Sequence, residues 1–203
     1  MYVPPLFKED RIDVLHEAIR RAGLATLVTL TPGGLIASHV PMLLDPKPAP
    51  YGTLIGHLAS PNPQARGAIG EALAIFQGPE AYITPSWYET KRQTGKVVPT
   101  WNYVAIHAYG MVEFFADQDR LRDVVTRLTV RQESPRADPW AVTDAPAGFI
   151  DMMLKGIVGF VLPIARLEGK WKMSQNRPAE DRAKVIAGLE AEERSDVAAL
   201  ITR

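Results

Sequence analysis

Between Gly78 and Gly110 the chain reads GPEAYITPSWYETKRQTGKVVPTWNYVAIHAYG, which sets Trp87, Trp101, Tyr82, Tyr88, Tyr103 and Tyr109 around the cations Lys91, Arg92 and Lys96. Aromatic side chains with polar tips pack flat against a partner and need a hydrogen bond at the other end. They serve a core, and they serve equally as cover for a planar ligand. Cations placed between two strand-like runs either stay solvated or meet an anion. Two further stretches add to this chemistry. In ASPNPQARG, 59–67, a strand gives way to a short helix, with Ser60 or Asn62 as its cap and a proline just inside its start. Such an end presents unpaired N–H groups and a positive dipole to a phosphate, although most helix ends bind only water. In LEGKWKMSQNRP, 167–178, Lys170, Lys172 and Arg177 accompany a run of hydrogen-bonding side chains.

Fixed donors and cations for a phosphate, backbone groups for a ring edge and aromatic cover for its face are what a flavin mononucleotide (FMN) pocket requires. Other chemistries lack their residues. No cysteine is present, which excludes disulfides, thiolate metal sites and a cysteine nucleophile. Neither a G-x-S-x-G elbow nor a P-loop, a G-x-G-x-x-G turn or an H-E-x-x-H helix occurs. His16, His39, His57 and His107 are too scattered for a local metal motif, and no metal is expected. Glu190, Glu192 and Glu193 read as a solvated helix face, so hydrolysis by paired carboxylates finds no support.

The 203 residues are 46% apolar, enough for one sizeable core, and a single domain over 1–203 is expected, with helices from about 174 onward. Lysine plus arginine equals aspartate plus glutamate at 23 each, so the chain as a whole offers no electrostatic support for gripping DNA. MYVPPLFKEDR lacks the basic end and apolar run of a signal peptide, and Gly156 to Ala165 is too short to cross a bilayer as a helix. A soluble, cytoplasmic protein with no membrane partner is the expectation.

The elements that must position these groups follow from periodicity. Ile12, Leu15, Ile19 and Ala22 predict a helix capped by Asp10 and stopped by Gly23, with His16 packing at the edge of its buried face. LATLVTL at 24–30, the TPGG turn and LIASHVPMLL at 35–44 predict a hairpin. His39 alternates with Leu35 and Ala37 and reads as a hydrogen-bonded histidine of the interior or of an interface. Strands follow at 53–58, at 71–78 and at 80–87, the last two separated by a GP turn. A cationic loop at 89–96 leads to the longest strand, 97–115, where His107 reads as core or interface. Asp117 or Asp119 caps an amphipathic helix on Leu121, Val124, Val125 and Leu128. Asp138 and Pro139 open a short helical piece, and 148–155 forms another, with Met152 and Met153 filling gaps in the core or an interface. The run 157–173 is strand again, Pro163 marking a bulge or an edge, and Pro178 opens a helix through Leu189, with a last turn near Val197, Leu200 and Ile201. The class is mainly β with flanking helices, α+β, on a mostly antiparallel core.

The runs MYVPPLF, GHLASPNPQ, IFQGPEAYITPSWY, GKVVPTWNYVAIHAYG and LEGKWKMSQNRP resemble the signature segments of the PaiB family, FMN-binding negative transcriptional regulators. The resemblance implies an FMN-binding split β-barrel flanked by helices, related to the pyridoxamine phosphate oxidase-like flavoproteins. It also implies a homodimer with FMN near the subunit interface, and repression of genes for secreted proteases and sporulation. Cofactor-binding residues implied by it are His57, Asn62 and Gln64; Ser86, Trp87, Tyr88 and Lys91; Thr100, Trp101 and Asn102; and Lys172, Ser174, Gln175, Asn176 and Arg177. The family corner reads like H-x-A-R-x-N-P-Q-W, whereas Ser60 stands here at the arginine and Ala65 at the tryptophan. Loss of the arginine removes a bidentate phosphate partner, and Arg66 compensates only if the short helix turns it inward. Two other functions remain open: a flavin-dependent reductase or oxidase, and haem binding with His39, His57 or His107 as axial ligand. The helix after Asp117 lacks the tightly turned partner of a helix-turn-helix, so regulation through DNA would be indirect.

Overall fold

Runs rich in valine, isoleucine, threonine and leucine, cut by proline and glycine, build the antiparallel strands of this chain. The structure, a computed structural model, describes residues 1–48 and 50–201, Ala147 by its backbone alone. In chain order the elements are β1 (Lys8–Glu9), α1 (Ile12–Arg21), β2 (Ala25–Thr31), β3 (Gly34–Val40), β4 (Leu43–Asp45), β5 (Thr53–Ala59), α2 (Gln64–Gly67), β6 (Ile69–Ile83), α3 (Glu89–Thr94), β7 (Thr100–Met111), β8 (Glu113–Phe115), α4 (Gln118–Glu133), α5 (Ala147–Leu154), β9 (Ile157–Pro163), β10 (Arg166–Lys172), α6 (Ala179–Ala191) and α7 (Ser195–Ala198). The sheet orders are β1-β10-β7-β6-β2-β3 and β4-β5-β9-β8. Two compact units result: a terminal unit of Met1–Leu15, Gln77–Ile106 and Glu168–Arg203, and an inner unit of His16–Phe76 and His107–Leu167.

In the inner unit β2 and β3 pair from Ala25↔Val40 to Thr31↔Gly34 around Pro32 and Gly33, as the TPGG signal predicts. Gly34 sits at φ 109°, a conformation that a side chain would strain. β5 pairs with β9 along its length, and Gly159 of β9 leaves room for an aromatic ring: a Cβ there would stand 2.2 Å from Phe115. Leu121, Val124 and Leu128 line one face of α4 and join Leu43, Phe115, Ile150 and Leu154 in a core. Asp117 caps that helix, its Oδ1 accepting from Arg120 N at 2.8 Å.

In the terminal unit Ala81, Ile83, Tyr88, Val104 and Met173 pack with Val185 and Leu189 of α6 and with Val197, Ala198 and Ile201. The fully buried Asp181 accepts from Thr90 N at 2.9 Å and Thr90 Oγ1 at 2.8 Å. This pair ties α6 to α3 and explains why ETKRQTGK, expected as a loop, contains a helix closed by Gly95 at φ 70°.

Several expectations are corrected. The Gly78-Pro79 pair does not turn the chain; β6 runs straight through it and is the longest strand. Burial falls on Ala72, Ala74 and Phe76 before the pair and on Ala81 and Ile83 after it, a change of phase rather than of direction. Gly78 is required there, because a Cβ would meet Val104 at 2.8 Å. LIASHVPMLL is two strands in different sheets, broken at Pro41, which has no N–H for the ladder. Likewise 157–173 is β9 and β10, one in each sheet, and 97–115 holds β7 and β8 with residues 97–99 outside any strand. Asp10 pairs with Lys8 at 2.9 Å, while Glu9 accepts from Arg11 N just ahead of α1. Met152 and Met153 are about half-exposed and fill no core, and Leu35, Ala37 and His39 face outward on β3, which overturns the core half of those readings and leaves the interface half standing.

Candidate functional site

In the terminal unit, β7 alternates its side chains from the start. Asn102 is fully buried and exchanges hydrogen bonds with Ser174, Nδ2 donating to Oγ and Oγ donating to Oδ1, both at 3.1 Å. Ser174 sits at φ 60°, a left-handed conformation that costs a residue with a Cβ about 1–3 kcal/mol. The surrounding turn holds it there: Met173 N donates to Gln175 Oε1 at 2.7 Å, Gln175 Nε2 to the Trp171 carbonyl at 2.5 Å, and Arg177 N to the Ser174 carbonyl at 3.0 Å. Asn176 is exposed. Beside this turn, Lys172 Nζ donates to Thr100 Oγ1 at 2.5 Å. Lys91 Nζ donates to Ser86 Oγ at 3.3 Å. Both ammonium groups therefore meet hydroxyls and no carboxylate among the described residues, which leaves their charge available to an anion.

The aromatic residues divide. Trp101 is half-exposed and meets Tyr82 edge-on at 6.0 Å, but strand alternation puts it on the opposite face of β7 from Thr100 and Asn102. Trp87 packs on α6 at Gly188, where a Cβ would stand 2.4 Å from the indole. Tyr88 is buried, with the Arg177 guanidinium 4.4 Å above its ring and no hydrogen bond to its hydroxyl among the described residues. Burial pushes the phenol above its ordinary pKa, and the Arg177 charge opposes that rise. Trp87 and Tyr88 thus serve the core of this unit, and their edges line a groove of about 390 Å³ with Ser86, Arg92 and Lys184. Of these, Lys184 was not singled out by sequence; α6 brings it there, paired with Glu89.

His57, Ser60, Asn62 and Gln64 belong to the inner unit. Pro63, not Ser60 or Asn62, is the N-cap of α2; Asn62 stands just ahead of it, its Oδ1 accepting from Gln64 N at 3.0 Å while its Nδ2 donates to Ser38 Oγ at 2.8 Å. Gln64 is fully buried and its Nε2 donates to the Leu27 carbonyl at 3.0 Å, Thr29 Oγ1 at 3.1 Å and the Ile36 carbonyl at 3.2 Å. Its amide is a strut across the β2–β3 hairpin, with Oε1 alone left without a partner among the described residues. His57 Nδ1 is likewise buried without a partner, and burial lowers the imidazole pKa and keeps the ring neutral. The other histidines are engaged: His16 Nε2 with the Tyr51 carbonyl at 2.9 Å, His39 Nδ1 with Thr26 Oγ1 at 3.0 Å, His107 Nδ1 with Tyr109 OH at 3.2 Å. No group of metal-ligating side chains occurs among the described residues. Ser60, Ala65 and Arg66 line one groove together with Lys155, and Arg66 remains exposed there.

A sequence family described as "Putative FMN-binding domain" matches residues 1–166. The Bacillus subtilis protein named "Protease synthase and sporulation protein PAI 2" is 35% identical over 95% of this chain and 91% of its own length. An uncharacterized protein of Aspergillus fumigatus is 36% identical over 94% of this chain and 91% of its own. Among solved structures, a conserved hypothetical protein of Mycobacterium tuberculosis matches with a TM-score of 0.60 at 11% identity, covering 88% of this chain and 94% of that one. The FAD and heme binding protein of Mycobacterium smegmatis matches with a TM-score of 0.57 at 15% identity, covering 89% and 80%. At such identities the two structures share a fold with this chain.

Proposed function

This chain belongs to the family described as "Putative FMN-binding domain" and has its split β-barrel fold with flanking helices; from that premise we propose that it is a cytoplasmic, FMN-binding, PaiB-like negative regulator of transcription. In this reading it works as a homodimer with a flavin- or redox-sensing pocket. The observation that carries the flavin reading is Lys172, an ammonium group whose partner is the Thr100 hydroxyl, set beside the locked Asn102–Ser174 pair.

That donor set fits FMN. Lys172 and Thr100 offer a cation and a hydroxyl to the polar groups of the ligand, and Lys91 with Ser86 offers a second such pair. Asn102 and Ser174 fix the turn that follows Lys172 at the end of β10, and the Thr100 hydroxyl holds its ammonium before a ligand arrives. Bound flavin supplies reversible electron transfer; the protein supplies position and charge. For the dimer, β3 is the edge strand of its sheet, and Leu35 on it is 76% exposed, with Leu30 and Ile69 also exposed. An unpaired edge with apolar side chains favours a second copy. The neutral charge favours regulation through a partner protein over a direct grip on DNA.

Titration of the purified protein with FMN, followed by flavin fluorescence and the visible spectrum, is expected to show saturable binding. No bound-flavin spectrum at saturating FMN sinks the reading. A haem spectrum with haemin in its place transfers the site to the haem reading, and steady turnover with a nicotinamide donor makes the protein a reductase. Sedimentation at micromolar concentration should give a dimer, and a monomer removes that part. Retardation of DNA that persists at physiological salt would replace the indirect route by a direct one.

A further inference from the structure

The corner after β5 is pinned to the turn that follows α5. Ser60 N donates to the Gly156 carbonyl at 2.9 Å, and Ser60 Oγ to the Lys155 carbonyl at 3.4 Å. Arg66 and Lys155 therefore leave neighbouring stretches of backbone, and their side chains line one groove of about 350 Å³ with Ser60 and Gln118. Neither cation has a hydrogen-bond or ion-pair partner among the described residues, and no carboxylate lines the groove. Elsewhere in this unit the arginines are neutralised or bonded: Arg122 by Asp151, Arg127 by Asp45, Arg131 by the Met42 and Ala22 carbonyls, Arg166 by Glu71. Asp117, next in sequence to Gln118, turns its carboxylate onto Arg120 N instead.

Two like charges sharing a concavity repel each other, and a dianion between them reverses the sign of the interaction. A guanidinium fork and an ammonium together match the oxygens of a phosphate, while the Gln118 amide adds a neutral donor. Ala65 and Ile157 give the groove an apolar side, suited to the carbon end of a phosphate ester. We propose that this groove binds a phosphate or phosphate-monoester dianion through Arg66 and Lys155. It depends on the flavin reading only for one of its two sources, the phosphate of FMN; the other is free phosphate.

Calorimetry with inorganic phosphate, FMN and riboflavin on the wild-type protein, Arg66→Gln, Lys155→Gln and the double variant tests the site. Each single substitution should weaken the phosphate-bearing ligand about tenfold and the pair about a hundredfold, with riboflavin binding unchanged. Both side chains lack protein partners, so thermal unfolding should not move. Weaker FMN binding with riboflavin unaffected identifies the dianion as that of the cofactor. Unchanged FMN binding with loss of inorganic phosphate identifies a separate site. If the double variant binds FMN and inorganic phosphate as the wild type does, or if the wild type binds neither, the proposal is overturned. Wild-type protein that binds phosphate but not FMN sinks the flavin reading alone.

Discussion

Gln64 in the inner unit and Lys172 in the terminal unit are both polar side chains set against strands, and their partners differ in kind. The amide nitrogen of Gln64 meets three acceptors on β2 and β3, and no part of the residue reaches solvent. Lys172 is half-buried, carries a full charge, and meets one neutral hydroxyl. The difference separates a group that completes the protein from one that the protein leaves incomplete. A buried amide that fills its donors stabilises the fold, because removing it strands the carbonyls it served. A charge with a neutral partner adds little to the fold and has most to gain from an anion. Both lie in segments that resemble one family's signature, and only their surroundings tell them apart.

The largest effect expected from this contrast is on Gln64→Ala. Stranding the Leu27 and Ile36 carbonyls should lower the unfolding free energy by about 3 kcal/mol in chemical denaturation, with FMN affinity per folded molecule unchanged. A loss under about 1 kcal/mol would break the comparison from this side. Lys172→Met should do the reverse, shifting stability by no more than about 0.5 kcal/mol while weakening FMN about tenfold in a fluorescence titration. Unfolding without loss of FMN binding would make Lys172 structural as well.

The smallest effect concerns His57, the histidine left without a partner at its buried nitrogen. Burial holds its pKa in the folded protein below the ordinary 6.5. Above that pH the ring is neutral in both states and the stability is complete. As the pH falls, the unfolded chain takes up the proton first, so stability declines through the folded-state pKa. Thermal unfolding between about pH 5 and 8 should show this decline, and His57→Phe should flatten it. An unchanged slope in the variant would assign the pH dependence to other groups.

Much of the fold was legible because it is written locally. The TPGG turn between two β-branched runs is a hairpin whatever surrounds it, and Leu121, Val124 and Leu128 after a capping Asp117 are an amphipathic helix. What failed was local punctuation overridden at a distance. Gly-Pro at 78–79 reads as a turn, yet the close approach of Val104 keeps the strand straight and uses the glycine for clearance. ETKRQTGK reads as a loop, yet the buried Asp181 holds Thr90 at the start of a helix. Of the candidate site, the polar residues of 172–177 and 100–102 were visible as a cluster of donors. The division of Trp101 from Asn102 was visible too, in the alternation of any strand, once 100–102 is known to be one.

By itself the sequence determined the family, the α+β class, the supply of cations and aromatic side chains, and the departures at Ser60 and Ala65, since these depend on residue identity and near-neighbour spacing. Only the tertiary structure decided that Gln64 is spent inside a hairpin, that Trp87 and Tyr88 belong to a core, and that Arg66 shares a groove with Lys155. Each of those facts is a contact between residues far apart in the chain, and a side chain's chemistry is settled by how many of its hydrogen bonds and charges such contacts leave unfilled.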